Sequence, residues 1–277
     1  MNNEKLLVSA MALLRISPIE AMSIILDLVS DNYPPAQYEL AMMNDKLSGT
    51  TTEEHINGVL VFQMHWSVEE SFRLMELSAK NNFPLAQYMM SVYYKNGLGC
   101  ELNLDKSFEY MSKCALNGCM VGEYDLGLMY VSGLGCSKDF RKAREWFLMA
   151  ANKGSSGAMY DLGVLYEYGE GVNEDIDIAL EWYVKSATMG NIKANDNLSR
   201  IYSSGGKVEQ NLELAFSYIK KMAELGSPRG YYNMAMCYMS GNMVAKDKDI
   251  GVKLIKLAAE GGFPPALEML KKLNLLN

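Results

Sequence analysis

From Ala36 to Leu270, small and apolar residues return in a set order. An alanine or glycine stands at Ala36, Ala86, Gly122, Ala158, Ala194, Gly230 and Ala266, and from Ala86 onward the interval is 36 residues. Four residues later comes an apolar side chain: Leu40, Met90, Leu126, Leu162, Leu198, Met234 or Leu270. Four further on, five consecutive copies carry a tyrosine, Tyr94, Tyr130, Tyr166, Tyr202 and Tyr238. The spacing i, i+4, i+8 puts all three on one face of a helix. Between them runs a small column, Ala41, Ser91, Gly127, Gly163, Ser199 and Ala235. Glycine inside a helix costs ~1 kcal/mol against alanine, so small size here predicts a close approach, with the backbone of a crossing helix as the expected neighbour.

The polar and glycine positions predict where these helices stop and start. Glycine pairs such as Gly97/Gly99, Gly133/Gly135 and Gly169/Gly171 end the first helix of a repeat. Ser17, Ser67, Asn103, Asp139, Asp175, Asn211 and Asp247 share one column and are all N-cap residues. Ser17–Glu20 and Ser67–Glu70 also read as capping boxes. The second helix ends at Asn32, Asn82, Gly118, Gly154, Gly190, Gly226 or Gly262, the two residue types that best accept a left-handed C′ position. Each repeat is therefore two antiparallel helices, the second ~21 Å long at 1.5 Å per residue. Neither helix buries its apolar stripe alone; stacked copies do.

The pattern A-x-x-x-L-G-x-x-Y-x-x-G-x-G followed by K-A-x-x-W-F-x-x-A-A-x-x-G resembles the Sel-one-like repeat (SLR) family, relatives of tetratricopeptide repeats. Gly122 to Gly154 carries it most fully, with Lys142, Ala143, Trp146, Phe147, Ala150 and Ala151 in register. The expectation is an all-α protein: a right-handed α-solenoid of stacked antiparallel helix pairs with a 36-residue period. About seven repeats would span residues 1–277 as a single domain of about fifteen helices with no sheet. Residues 265–277 are expected to form a capping helix with Lys271 and Lys272 on its polar face. The interval from Ala36 to Ala86 is 50, which leaves a 14-residue insertion within residues 48–66. It is expected to add a helix near Thr51, with Glu54 closing a capping box, whose apolar face packs on the first repeat or meets a partner. The first copy also departs in having Asn44 where others have tyrosine.

Composition narrows the function. A net charge of −7 disfavours nucleic acid and favours a neutral or basic partner. No apolar run approaches the ~20 residues of a membrane span, and the N-terminus reads as an amphipathic helix, not a signal peptide. Five cysteines with no disulfide framework read as reduced thiols, and so as a cytoplasmic chain. His55 and His65 have no third ligand in view, so no metal is expected, and no cofactor. No nucleophile–base constellation is legible, so the chain reads as non-enzymatic, with an enzyme as a remote alternative.

A second tyrosine column, Tyr38, Tyr88, Tyr124, Tyr160 and Tyr232, has two open readings: packing between repeats, or an aromatic rail for a partner. By analogy with tetratricopeptide arrays, Val92, Leu128, Val164, Arg200 and Met236 face the concave wall. The partner-binding candidates are thus Tyr88, Tyr124, Tyr160, Glu167, Asp196, Arg200, Tyr232 and Met236. Arg200→Glu is expected to cut binding and leave the melting temperature nearly unchanged. The resemblance implies a bacterial protein-binding scaffold: an immunity protein that neutralises a toxin, or an adaptor for a secreted effector. The alternative is a signalling or assembly scaffold that presents a groove to a peptide.

Overall fold

The computed structural model describes residues 2–14, 16–47, 51–56, 59–65 and 67–275. Fifteen α-helices appear among them, joined as antiparallel pairs that stack in repeats. The chain divides into two compact units, Met1–Met149 and Ala150–Asn277. In the first unit, the central repeats are built from α5 (Pro84–Asn96), α6 (Leu104–Leu116) and α7 (Met120–Ser132). In the second, first-type helices α9 (Ser156–Tyr168), α11 (Ile192–Ser204) and α13 (Pro228–Ser240) alternate with α10 (Ile176–Thr188), α12 (Leu212–Glu224) and α14 (Lys248–Glu260).

The predicted caps form in six of seven copies. Ser67, Asn103, Asp139, Asp175, Asn211 and Asp247 each accept a backbone N–H of the first helical turn through their side chains. Ser17 does not; Pro18 at the first helical position starts α2 (Pro18–Ser30) instead, its ring pre-setting φ. The seven C′ positions all adopt positive φ, from 58° at Asn32 to 96° at Gly154. A further bond recurs at each repeat: the backbone N–H of Asn103, Asp139, Asp175, Asn211 and Asp247 donates to the carbonyl of Tyr94, Tyr130, Tyr166, Tyr202 and Tyr238 respectively. In the first copy the tyrosine is Asn44, and there the Asn44 Oδ1 accepts from the Ser67 N–H at 2.7 Å. A side-chain oxygen replaces the backbone carbonyl where the insertion has lengthened the connection.

The insertion itself is not helical. Its described residues pair as an antiparallel hairpin, β1 (Thr51–Ile56) and β2 (Val59–His65), with Thr51 opposite His65 and Ile56 opposite Val59, and an irregularity between Glu54 and His55. Thr51, Thr52, Ile56, Val59 and Val61 are β-branched, and the intervening sequence is Asn57–Gly58, the strongest short hairpin signal. That pattern outweighs a single Thr–Glu capping box.

The small column works differently from expectation. Against Gly127 and Gly163 lies an aromatic face, not a backbone. A Cβ added at Gly127 would sit 2.6 Å from Cδ1 of Phe147, and one at Gly163 2.5 Å from the ring of Tyr183. Both rings are fully buried. At the equivalent second-helix position, Ser91, Ser199 and Ala235 have the narrower Met111, Ile219 and Ile255, which are also buried. Small pairs with large, and the interior stays close-packed.

Candidate interaction site

The ring of Tyr183 carries a hydroxyl that Phe147 lacks, and a buried hydroxyl needs a partner. Glu167, one turn after Gly163, supplies it: the Tyr183 hydroxyl donates to Glu167 Oε2 at 2.7 Å. Glu167 is only 1% exposed. Its other oxygen takes a charge-assisted bond from Arg200 at 2.6 Å. Burial, then the Glu167 hydrogen bond, hold the Tyr183 hydroxyl far above the ordinary tyrosine range. Lys207 closes the group from the loop after α11: its ammonium donates to the Glu167 carbonyl and to the Glu174 carboxylate, each at 2.7 Å. Arg200 keeps 51% of its side chain exposed, and Tyr168 beside Lys207 is 59% exposed.

Of the predicted residues, the structure gathers Tyr160, Glu167 and Arg200 in this cluster. Glu167 is turned inward, so it anchors Arg200 and does not itself face solvent. Arg200 is therefore not free: reversing its charge would set a second carboxylate against a buried one, and stability would fall with it. Asp196 pairs with Arg229 at 3.0 Å, linking α11 to α13. Tyr232 and Met236 lie half-buried on α13, with the Tyr232 ring 5.3 Å from that of Phe263.

The tyrosine column packs. Tyr160 lies 5.8 Å from the Tyr183 ring, and Tyr124 is at the same distance from Phe147. Tyr160 interacts with Asn197 on the next first-type helix, and Tyr88 with Asp125 at the equivalent place. Burial and the nearby Asp125 push the Tyr88 hydroxyl up to about 12. These rings are half-buried, so part of each remains in reach of solvent.

Sequence reasoning passed over Tyr183, Asn197, Lys207 and Tyr168. The available signal was a paired polar departure: Tyr183 where the preceding repeat has Phe147, and Glu167 where it has Val131.

A profile of the Sel1 repeat matches residues 34–83, 84–119, 121–155, 156–191, 192–227 and 228–263. The chain belongs to the Sel1 repeat family. Sel1 repeat proteins are generally non-enzymatic scaffolds that bind protein partners. Two solved Sel1 repeat structures are similar over nearly the whole chain. One is c5321, a protective antigen present in uropathogenic Escherichia coli strains: TM-score 0.77, 24% identity, 99% of this chain and 59% of that one. The chain thus spans little more than half the length of that protein. The other is a Sel1 repeat protein from Oxalobacter formigenes: TM-score 0.74, 23% identity, 92% of this chain and 99% of that one. The immunity protein PA5088 from Pseudomonas aeruginosa is more distant, with a TM-score of 0.50 and 17% identity over 84% of this chain and 82% of that one. No curated protein matches the sequence. Among the described residues, no helix is long and apolar enough to cross a membrane.

Proposed function

We propose that this Sel1 repeat protein is a protein-binding scaffold that neutralises or delivers a protein partner, as an immunity protein or an effector adaptor. The observation that carries the reading is the fixing of Arg200 by buried Glu167. A half-exposed arginine held in one geometry, close to exposed Tyr168, has the composition and preorganisation of a binding hot spot. Tyr160, Asp196, Tyr232 and Met236 would extend the contact along α9, α11 and α13, and Tyr88 and Tyr124 would serve the first unit. PA5088 is an immunity protein built on the same fold, so the array is compatible with neutralising a toxin. The net charge of −7 suits a basic partner and speeds its encounter. The reading places the chain in the cytoplasm, where its five thiols stay reduced.

Tyr168→Ala tests it without disturbing the buried group, because Tyr168 lies outside the core. The captured partner is identified with the unaltered protein, and binding of that partner is then measured by calorimetry. An affinity loss of about tenfold with an unchanged urea midpoint is expected; unchanged affinity rejects the site. Co-expression with the partner separates the finer roles. Rescue of growth supports neutralisation, whereas binding with no effect on growth supports a signalling or assembly scaffold.

A further inference from the structure

A second feature lies in the first unit, away from Arg200. Between α5, α6 and α7 is a cavity of about 230 Å³. Ligand pockets for drug-sized molecules are ~300–1,000 Å³, so this one suits a single long side chain. Val92, Met111, Leu128 and Met129 give it apolar surface, and Asn96 and Ser132 are among its polar lining. It is also lined by Ser91 and Ser107, whose hydroxyls are bonded to each other at 2.9 Å and buried. Asp125 and Tyr88 line it together, and the two side chains interact. Among the lining residues Asp125 is the one acid and Lys95 the one cation, and Lys95 is exposed.

We propose that this cavity receives a lysine or arginine side chain of the protein partner. The inference rests on the scaffold reading above and names the chemistry of one contact. The Asp125 carboxylate would take the cation, the Tyr88 hydroxyl lies beside that carboxylate, and Val92, Met111, Leu128 and Met129 would cover the methylene stem. Two further observations agree. Burial raises the Asp125 carboxyl against the lowering effects of the nearby Tyr88 and Lys95, as it does for a carboxylate without a full countercharge. The chain as a whole is acidic. An uncharged chain of equal length would gain the apolar contacts and leave the buried acid without a full countercharge, so the cavity discriminates by charge.

The test uses the full chain with methyl-labelled methionines, followed by NMR. The probes are N-acetyl-lysine methylamide, N-acetyl-arginine methylamide and, as the uncharged control, N-acetyl-norleucine methylamide. Saturable shifts at Met111 and Met129 are expected with the two basic probes and not with norleucine. Asp125→Asn keeps the shape and should weaken the basic probes by about tenfold or more, the usual worth of a hydrogen bond to a charged group. Leu128→Trp, from a position at the solvent edge, should block them by filling the space. Norleucine binding as well as lysine, Asp125→Asn binding normally, or the absence of saturable shifts would overturn the proposal. If Asp125→Asn does not fold, Leu128→Trp decides alone. If the probes fail while Tyr168→Ala still weakens the captured partner, the cavity assignment falls and the scaffold reading stands.

Discussion

Gly127→Ala is a one-carbon perturbation whose sign the structure decides. The added Cβ would come within 2.6 Å of Phe147 Cδ1, where ordinary contact begins near 3.4 Å. Phe147 is 0% exposed and cannot swing out. Two effects oppose each other. Alanine gains ~1 kcal/mol of helix propensity over glycine, while overpacking a buried site costs ~1–3 kcal/mol. The net expectation is a loss of up to ~2 kcal/mol. Gly206→Ala is the control, because a Cβ there meets nothing within 4 Å. The decisive comparison is a double-mutant cycle with Phe147→Leu, read from urea midpoints by circular dichroism. With the ring gone the clash disappears, and Gly127→Ala should then stabilise by the propensity term alone. An equal loss in both backgrounds would refute the ring as the obstacle. A gain in the unaltered protein would refute the close approach itself.

Gly163→Ala should cost more than Gly127→Ala in the same urea assay, because Glu167 holds the Tyr183 hydroxyl and the ring cannot slide. Asp139→Ala removes the acceptor for the Arg141 and Lys142 N–H groups and should lower the unfolding free energy by about 0.5–2 kcal/mol; no loss would mean that the cap contributes nothing. Glu167→Ala strands the Tyr183 hydroxyl and should cost ~1–3 kcal/mol, with a smaller loss in a Tyr183→Phe background. Asp125→Asn should stabilise at neutral pH. The folded state holds the Asp125 proton more tightly than the unfolded chain does, so its ionisation costs stability as pH rises from the unfolded aspartate value through the raised folded one. The melting-temperature advantage of the variant should therefore appear across that window and be absent below it; an advantage independent of pH would contradict this.

The repeat boundaries were legible because they are backbone requirements written in few residue types. Asn32, Asn82 and five glycines all take the left-handed position that their column predicts. The hairpin was misread because Thr51 and Glu54 imitate a capping box, and the weight of β-branched residues around Asn57–Gly58 lies outside the repeat grammar. The interaction cluster was half legible. Arg200 stands out as a charge where Val92, Leu128, Val164 and Met236 are apolar, and Glu167 stands where the preceding repeat has Val131, but their bond joins residues 33 apart. What made Glu167 inaccessible was the hydroxyl of Tyr183, and a tyrosine in place of a phenylalanine looks conservative until the ring is known to be buried.

The Asn44–Ser67 bond changes how the insertion should be regarded. By standing in for the tyrosine carbonyl, Asn44 closes the base of the extra segment with the contact that closes the shorter loops. Whatever lies between those two residues is then decoupled from the spacing of the helices on either side. Loop-closure entropy grows slowly with length, so the segment is a natural cassette. Other hairpins or recognition loops could be exchanged there by evolution or by design, provided that an amide side chain remains to seal the joint.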